Sequence, residues 1–521
     1  MPEKQSHPAG NQVAANSMGS NGNGLHPHDS TENAESYPAN SMGQLVAELQ
    51  ALAADAKVEA AQDIDKDAAK AEQALLGEGA HDEGNAQAVN LRYKGRFCYN
   101  DAFGWMQHTG SHWTSEGAEA AAERAITETL LARIDAALRS GEADKHGELI
   151  KRCIPSASKV QGAKTQLRSL VYVSPKHFDA DPNLLNCPNG VVDLRTGKLS
   201  THTPDQRFTH CTAVPYEPGA DRTAWLRWLA GAAGAEQIDW LQMGVGYSIT
   251  GNTREEILFY LFGPPRAGKG IFTETMLSML GTPLADVISF STLTAARDAD
   301  TQNFNLAPLH SARVVMASES NQYERFNESK VKLLTGGDKI QAAYKHHTPF
   351  SYRPKYKIWL SSNQPVNADP DDDAVWGRVR VIEFPHSHLG QEDKLLKQSM
   401  LSPEVLKGVL AWAIEGAQKW YALGASGLPE LPSSQALKQQ QRADIDAVGM
   451  WFEECCQQSL PDSFSPGHEL YSSYKLWCES NGQTPKQMKG LTQALKRKGL
   501  SDARQYVDGK LKRGFAGVNI L

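Results

Sequence analysis

The stretch Leu261-Phe-Gly-Pro-Pro-Arg-Ala-Gly-Lys-Gly270 decides how the chain is read. It follows an apolar run, Ile257-Leu-Phe-Tyr-Leu-Phe262, and precedes helical spacing from Phe272 to Leu280. Strand, glycine-rich turn and helix are the context that the pattern G-x-x-x-x-G-K needs. Such a loop turns consecutive backbone N–H groups toward phosphate oxygens, at the positive end of the following helix. The cradle is expected to run from Gly263 through Pro264, Pro265, Arg266, Ala267 and Gly268 to Lys269, Gly270 and Ile271. Lys269 would place its charge on the β and γ phosphates. Position 270, where a Ser or Thr hydroxyl normally meets Mg²⁺, is Gly270, so the cradle is intact and the metal side altered.

Two further strands follow in the order a phosphate-loop ATPase requires. Arg313-Val-Val-Met-Ala-Ser-Glu319 ends in a carboxylate about 50 residues beyond the loop, placed to hold a metal ion or orient water. A metal-associated Asp often occupies position 318, which here is Ser318, leaving Ser318, Glu319, water and the phosphates to hold Mg²⁺. Lys357-Ile-Trp-Leu-Ser-Ser-Asn363 ends in an amide able to sense a γ-phosphate. Apolar runs at 257–262, 313–317, 356–361 and 379–384 alternate with helical or turn segments, which predicts an α/β domain around a mostly parallel sheet.

The 521 residues allow about three domains. Residues 1–43, rich in Asn, Gly, Ser, Pro and His, are expected to be a disordered tail, with Ala-Asn-Ser-Met-Gly repeated at 15–19 and 39–43. An Ala-rich helical linker is expected over 44–89, an accessory α+β domain over 90–235, the ATPase domain over 236–428 and a C-terminal module over 445–521. Within the accessory domain a β-rich start near 93–113, helix over 117–150 and hairpin chemistry in Asn186-Cys-Pro-Asn-Gly-Val-Val-Asp-Leu-Arg-Thr-Gly197 are expected. Trp225 to Tyr247 and 400–424 read as helical; Pro429, Pro432 and the glutamines at 439–441 read as a linker.

The formal charge of −7 excludes a chain that is basic throughout, so any nucleic-acid surface must be local. Residues 484–514 offer one, with nine Lys or Arg against two Asp, in a helix and strand pattern expected to form a winged-helix-like module contacting duplex or origin DNA; subunit docking is its other reading. Seven cysteines without metal spacing read as reduced thiols. With no signal peptide and no apolar run long enough for a bilayer, the expectation is a soluble cytoplasmic protein that meets no membrane.

The ordered set of motifs resembles the superfamily 3 helicases, and in particular the helicase part of phage and plasmid primases of the satellite-phage type, related to the poxvirus primase-helicase. The resemblance spans roughly residues 90 to 521. It is carried by the loop, Ala317-Ser-Glu-Ser320, Val331-Lys-Leu-Leu-Thr-Gly-Gly-Asp338, Pro349-Phe-Ser-Tyr-Arg-Pro354, Ser362-Asn-Gln-Pro365 and Trp376-Gly-Arg-Val-Arg-Val-Ile-Glu-Phe384. It implies an AAA+-type fold with ATP and Mg²⁺ as cofactors, Lys269 and the loop binding ATP, Glu319 as catalytic acid/base and Asn363 as sensor. Arg378 would be the arginine finger that reaches a neighbouring subunit, with Arg380 second; Gly377 departs from relatives that carry Arg there. Lys339 to His347 resembles the hairpin lining the ring's channel, with Lys339, Lys345, His346 and His347 on DNA.

The activity implied is replicative unwinding of forked DNA by a homo-oligomeric ring, a hexamer, moving 3′ to 5′ on single-stranded DNA in a bacterial host. A separate primase or polymerase partner is implied, since the first 90 residues are too short and polar for primer synthesis. A small-molecule kinase would leave the later motifs unexplained. An ATP-binding origin-recognition or assembly protein without unwinding is the alternative, which DNA-stimulated hydrolysis would exclude.

Overall fold

The computed structural model describes residues 73–142, 145–294, 304–318, 326–344, 349–390, 393, 395–458 and 463–521. They lie in one compact unit, Glu72–Leu521. The expected tail, its repeated peptide and the Ala-rich stretch up to residue 72 fall outside the described residues, as do Glu319, Lys345, His346 and His347.

After a helical end at 73–77, the chain forms α1 (Asp82–Arg92) and an antiparallel meander, β1 (Phe97–Asn100), β2 (Gly104–His108) and β3 (Trp113–Thr114). Helices α2 (Ala118–Arg139), α3 (Gly147–Cys153) and α4 (Ala157–Leu170) cover it. Ala118, Ala122, Ala125, Ile126 and Leu130 form the buried stripe of α2. The helix expected over 117–150 is broken, because the Ser140 hydroxyl donates to Ala137 O at 2.8 Å and Gly141 turns with φ 72°; α3 begins at Gly147. Next come β4 (Leu184–Cys187), β5 (Gly190–Asp193) and β6 (Lys198–Ser200), whose first hairpin pairs Cys187 with Gly190 across Pro188-Asn189.

Helices α5 (Thr223–Ala233) and α6 (Ile238–Ile249), separated at Gly234, lead into β7 (Leu258–Phe262), α7 (Lys269–Leu280), β8 (Ala285–Ser289) and β9 (Val314–Ser318). Then follow α8 (Glu328–Thr335), β10 (Ile340–Ala342), β11 (Phe350–Tyr352), β12 (Lys357–Ser362), α9 (Asp373–Arg378) and β13 (Val379–Glu383). Five of these strands make one sheet in the order β13-β7-β12-β9-β8, every neighbouring pair parallel. Both faces are covered, which explains the unbroken apolar runs. Phe259, Leu261, Met316, Trp359 and Ile382 face one core with α5, α6 and α7. Leu258, Tyr260, Val315, Leu360 and Val381 face the other with α8 and α9. Phe259 and Trp359 stack at 4.0 Å between adjacent strands.

After β13 come α10 (Leu396–Met400) and α11 (Pro403–Ala422), the latter packed on α6. The linker expected from Pro429 to the glutamines is instead a helix, α12 (Pro432–Asp444), lying on β13. Pro432 occupies its first turn, where a missing N–H costs nothing, and the Gln441 side chain accepts from Val366 N at 3.1 Å. The C-terminal module holds α13 (Ala447–Cys455), β14 (Cys456–Gln458), β15 (Phe464–Pro466), α14 (Gly467–Ser480), α15 (Met488–Arg497), β16 (Ser501–Val507), β17 (Lys510–Ala516) and β18 (Val518–Ile520). Trp451, Tyr474, Leu491, Leu495 and Phe515 are its core. No described helix is long and apolar enough to cross a membrane.

Candidate nucleotide site

β7 delivers the chain to Gly263, where a Cβ would stand 2.1 Å from Phe384 O. Only glycine fits there, because Phe384 closes the loop's root by donating its N–H to Phe262 O at 2.7 Å. Arg266 (φ 62°) and Gly268 (φ 99°) then reverse the chain into α7. Ala267 is buried beneath the loop, and Gly270 faces open space in the first turn.

Lys269 is only 6% exposed. Its Nζ donates to Gly263 O at 2.7 Å, Pro264 O at 2.8 Å and Asn363 Oδ1 at 2.8 Å. None of these acceptors is a carboxylate, and burial lowers the lysine pKa to about 8. The residues read as loop lysine and sensor are therefore in direct contact. Strand register explains why: Ser362 lies opposite Phe262 and Ser361 opposite Ser318, so β7, β9 and β12 end level. Ser318 is exposed at that edge; Glu319, next in sequence, is outside the described residues.

A segment that the motifs did not single out also reaches the loop. Beyond β13 the Ser387 hydroxyl donates to Pro265 O at 2.7 Å and His388 N to Arg266 O at 3.2 Å. The sequence signal was slight, a polar Pro385-His-Ser-His-Leu-Gly390 after an apolar strand. The Trp228 ring supports Gly268 from below, 3.2 Å from where its Cβ would be.

Arg378 and Arg380 lie elsewhere. β13 runs parallel to β7 with Val379 opposite Leu258 and Glu383 opposite Phe262. Arg378 therefore sits beside the start of β7, about 13 Å of strand away from the loop at its end. It pairs with Glu256 at 2.5 Å, and its Nε donates to Thr335 Oγ1 at 3.2 Å. The acidic run Asp371 to Asp373 is occupied by other cations. Lys332 takes Asp372, Lys486 and Arg497 take Asp371, and Arg442 takes Asp373. Arg380 is half-buried on β13 with Nη1 on Gly377 O at 2.6 Å, and burial lowers its pKa. Gly377 is exposed, and a side chain added there would meet nothing.

β10 and β11 form a hairpin with Ile340 opposite Tyr352 and Ala342 opposite Phe350. Lys339 is exposed at its root, just before β10. Tyr344 stacks on Phe350 at 5.9 Å, and Tyr352 donates to Leu306 O at 2.7 Å, fixing the stem to the body that carries the parallel sheet.

The molecule is thus a mixed α/β protein with a parallel sheet and a lysine-bearing glycine loop at its C-terminal edge. Residues 86–232 match the family model D5 N terminal like, and residues 261–378 match a family of unknown function, DUF5906. The chain is similar to "Putative helicase L207/L206" of Acanthamoeba polyphaga mimivirus, 26% identical over 215 residues, 40% of this chain and 22% of that protein. It is similar to "Putative helicase 121R" of Invertebrate iridescent virus 3, 23% identical over 253 residues, 44% and 27% of the two chains. With "Putative helicase 022R" of Frog virus 3 (isolate Goorha) it shares 30% identity over 141 residues, 26% and 14% of the two. These matches span about a quarter or less of the viral proteins' length. Two solved structures of the NrS-1 C-terminal region align with TM-scores of 0.36 and 0.37 at 13% identity, covering 58% and 65% of this chain and 77% and 95% of theirs. The resemblance to viral helicases holds at that level: residues 86–232 match the D5 N terminal like model, and the chain shares sequence with viral proteins named as putative helicases.

Proposed function

We propose that this protein is an ATP-dependent replicative DNA helicase of a phage, plasmid or other mobile element, whose subunits form a ring, a hexamer, that moves 3′ to 5′ on single-stranded DNA. The observation that carries the reading is Lys269 held between two loop carbonyls and Asn363 where three parallel strands end level. Strand order and loop support an AAA+-type domain of superfamily 3, and the C-terminal helices and hairpin support a winged-helix-like module.

Gly263 leaves room for phosphate to approach backbone, and Lys269 would exchange its carbonyl acceptors for β and γ oxygens. Asn363, released from the lysine, would then report on the γ-phosphate. With no hydroxyl at Gly270, Mg²⁺ would be held by Ser318, Glu319 and water, where it would neutralise phosphate charge. Glu319 would orient the attacking water. Arg378, a strand's length from its own loop, is placed to serve a neighbour's triphosphate, and Glu256 holds it meanwhile. Lys339 and the hairpin residues Lys345, His346 and His347 would hold the threaded strand by charge. Forked DNA, a separate primase or polymerase and the bacterial cytoplasm belong to the same proposal.

ATP hydrolysis measured with and without single-stranded DNA, beside fork unwinding, tests it. Wild type should hydrolyse faster with DNA and unwind; Lys269→Ala should do neither while remaining folded. ATP turnover indifferent to DNA, with no unwinding, would leave the non-motor assembly role instead.

A further inference from the structure

Within a chain of formal charge −7, residues 484–514 hold nine Lys or Arg against two Asp. Most of those cations are already matched. Lys486 reaches Asp369 at 3.0 Å and Asp371 at 2.9 Å, and Arg497 reaches Asp371 at 3.2 Å. Lys498 pairs with Asp446 at 3.3 Å, Lys512 with Glu469 at 3.4 Å, and Lys496 with Asp502. Helix α15 and the turn before it therefore direct their charge onto carboxylates of this chain, two of them on the acidic turn that leads into α9. That arrangement fastens the module to the ATPase and leaves little for a ligand.

Lys489, Arg504, Lys510 and Arg513 have no ion-pair partner among the described residues, and three of the four belong to the β16–β17 ribbon. Arg504 stands directly opposite Arg513, and Tyr506 opposite Leu511. Positions two apart on a strand share a face, so these four side chains project together. All are exposed, Tyr506 by 73% and Leu511 by 54%. Opposed like charges destabilise an antiparallel pair, and an exposed aromatic–leucine tip gains nothing from folding. Asp508 (φ 50°) and Gly509 (φ 73°) close the ribbon in a tight turn whose twist matches its strands.

We infer that this face of the ribbon is the duplex-DNA contact of the module: Arg504 and Arg513 hold phosphates, and Tyr506 and Leu511 lie against the groove. A two-stranded ribbon fits the major groove, and paired guanidiniums suit the phosphate backbone. Single-strand sites set several exposed aromatics in succession, whereas this face exposes one, its other aromatic, Phe515, being buried in the module core. The inference rests on the proposed function only in taking DNA as the substrate.

The test is anisotropy of a short labelled DNA duplex titrated with full-length protein at several salt concentrations. Arg504→Ala/Arg513→Ala should weaken binding about tenfold and lower the slope of log affinity against log salt by about 2, while Arg→Lys at both positions keeps the slope. DNA-free ATP hydrolysis should be unchanged, because neither residue is near the loop. Unaltered affinity and slope in the alanine pair would overturn the inference. So would loss of self-association with intact duplex binding, which makes the face an interface between copies, or a loss seen only on Lys489→Ala, which returns the contact to α15. A wild-type chain that binds duplex through Arg504 and Arg513 yet hydrolyses no ATP would sink the motor proposal and leave this one standing.

Discussion

Lys269 meets only neutral acceptors. Its pKa, lowered to about 8 from 10.5 by burial, lies below that of the unfolded chain. In the empty protein its contribution to stability therefore improves as pH rises from about 8 to 10.5, where the unfolded state binds more protons. Phosphate requires the charged form, so the sign reverses for the ligand: nucleotide affinity should be level below about pH 8 and fall above it, with proton uptake on binding. Calorimetry in buffers of different ionisation enthalpy reads both. Affinity flat through pH 9, or a decline that persists in Lys269→Met, would remove the lysine from the phosphate site. Gly270 adds the complementary point. Open space around it shows that sterics do not exclude a hydroxyl there.

Elements with a strong local period were legible. The strands at 258–262, 314–318, 357–362 and 379–383 and helix α7 lie where apolar runs and the glycine loop put them. β8 was missed because Ala-Asp-Val-Ile-Ser289 is a short edge strand interrupted by Asp286, and edges are kept polar. α12 was missed because Pro432 reads as a breaker unless its neighbours show it to be a start. At this scale the α9–β13 junction invites a test. Arg378→Ala should leave nucleotide binding intact and cost about 10³-fold or more in hydrolysis, the usual weight of a finger. Glu256→Gln, which frees the arginine from its partner, should instead raise DNA-free hydrolysis. Equal loss of binding and turnover in Arg378→Ala would mark it as a fold contact only.

For the whole molecule, a finger a strand's length from its own loop, as proposed for Arg378, would make catalysis a property of pairs. Lys269→Ala keeps the finger and Arg378→Ala keeps the loop, so mixing two inactive variants should restore hydrolysis at their shared interfaces. Mixtures as inactive as either parent would refute a finger supplied in trans. The segment at 179–184 is fastened to the parallel-sheet core in a way no motif announced. Arg313, at the start of β9, donates to Pro182 O at 3.1 Å and Leu184 O at 3.3 Å, while Lys355 donates to Asp179 O.

The sequence alone determined the glycine loop before α7 and the parallel-sheet core, because each depends on side-chain period and backbone freedom within about ten neighbouring residues. Tertiary structure decided which partner holds each charge. Arg378 belongs to Glu256, 122 positions away, and Lys486 to Asp371, 115 away, leaving Arg504 and Arg513 without an ion-pair partner among the described residues. Such pairings depend on which carboxylates the folded chain brings within a few ångströms, a quantity that no local pattern carries.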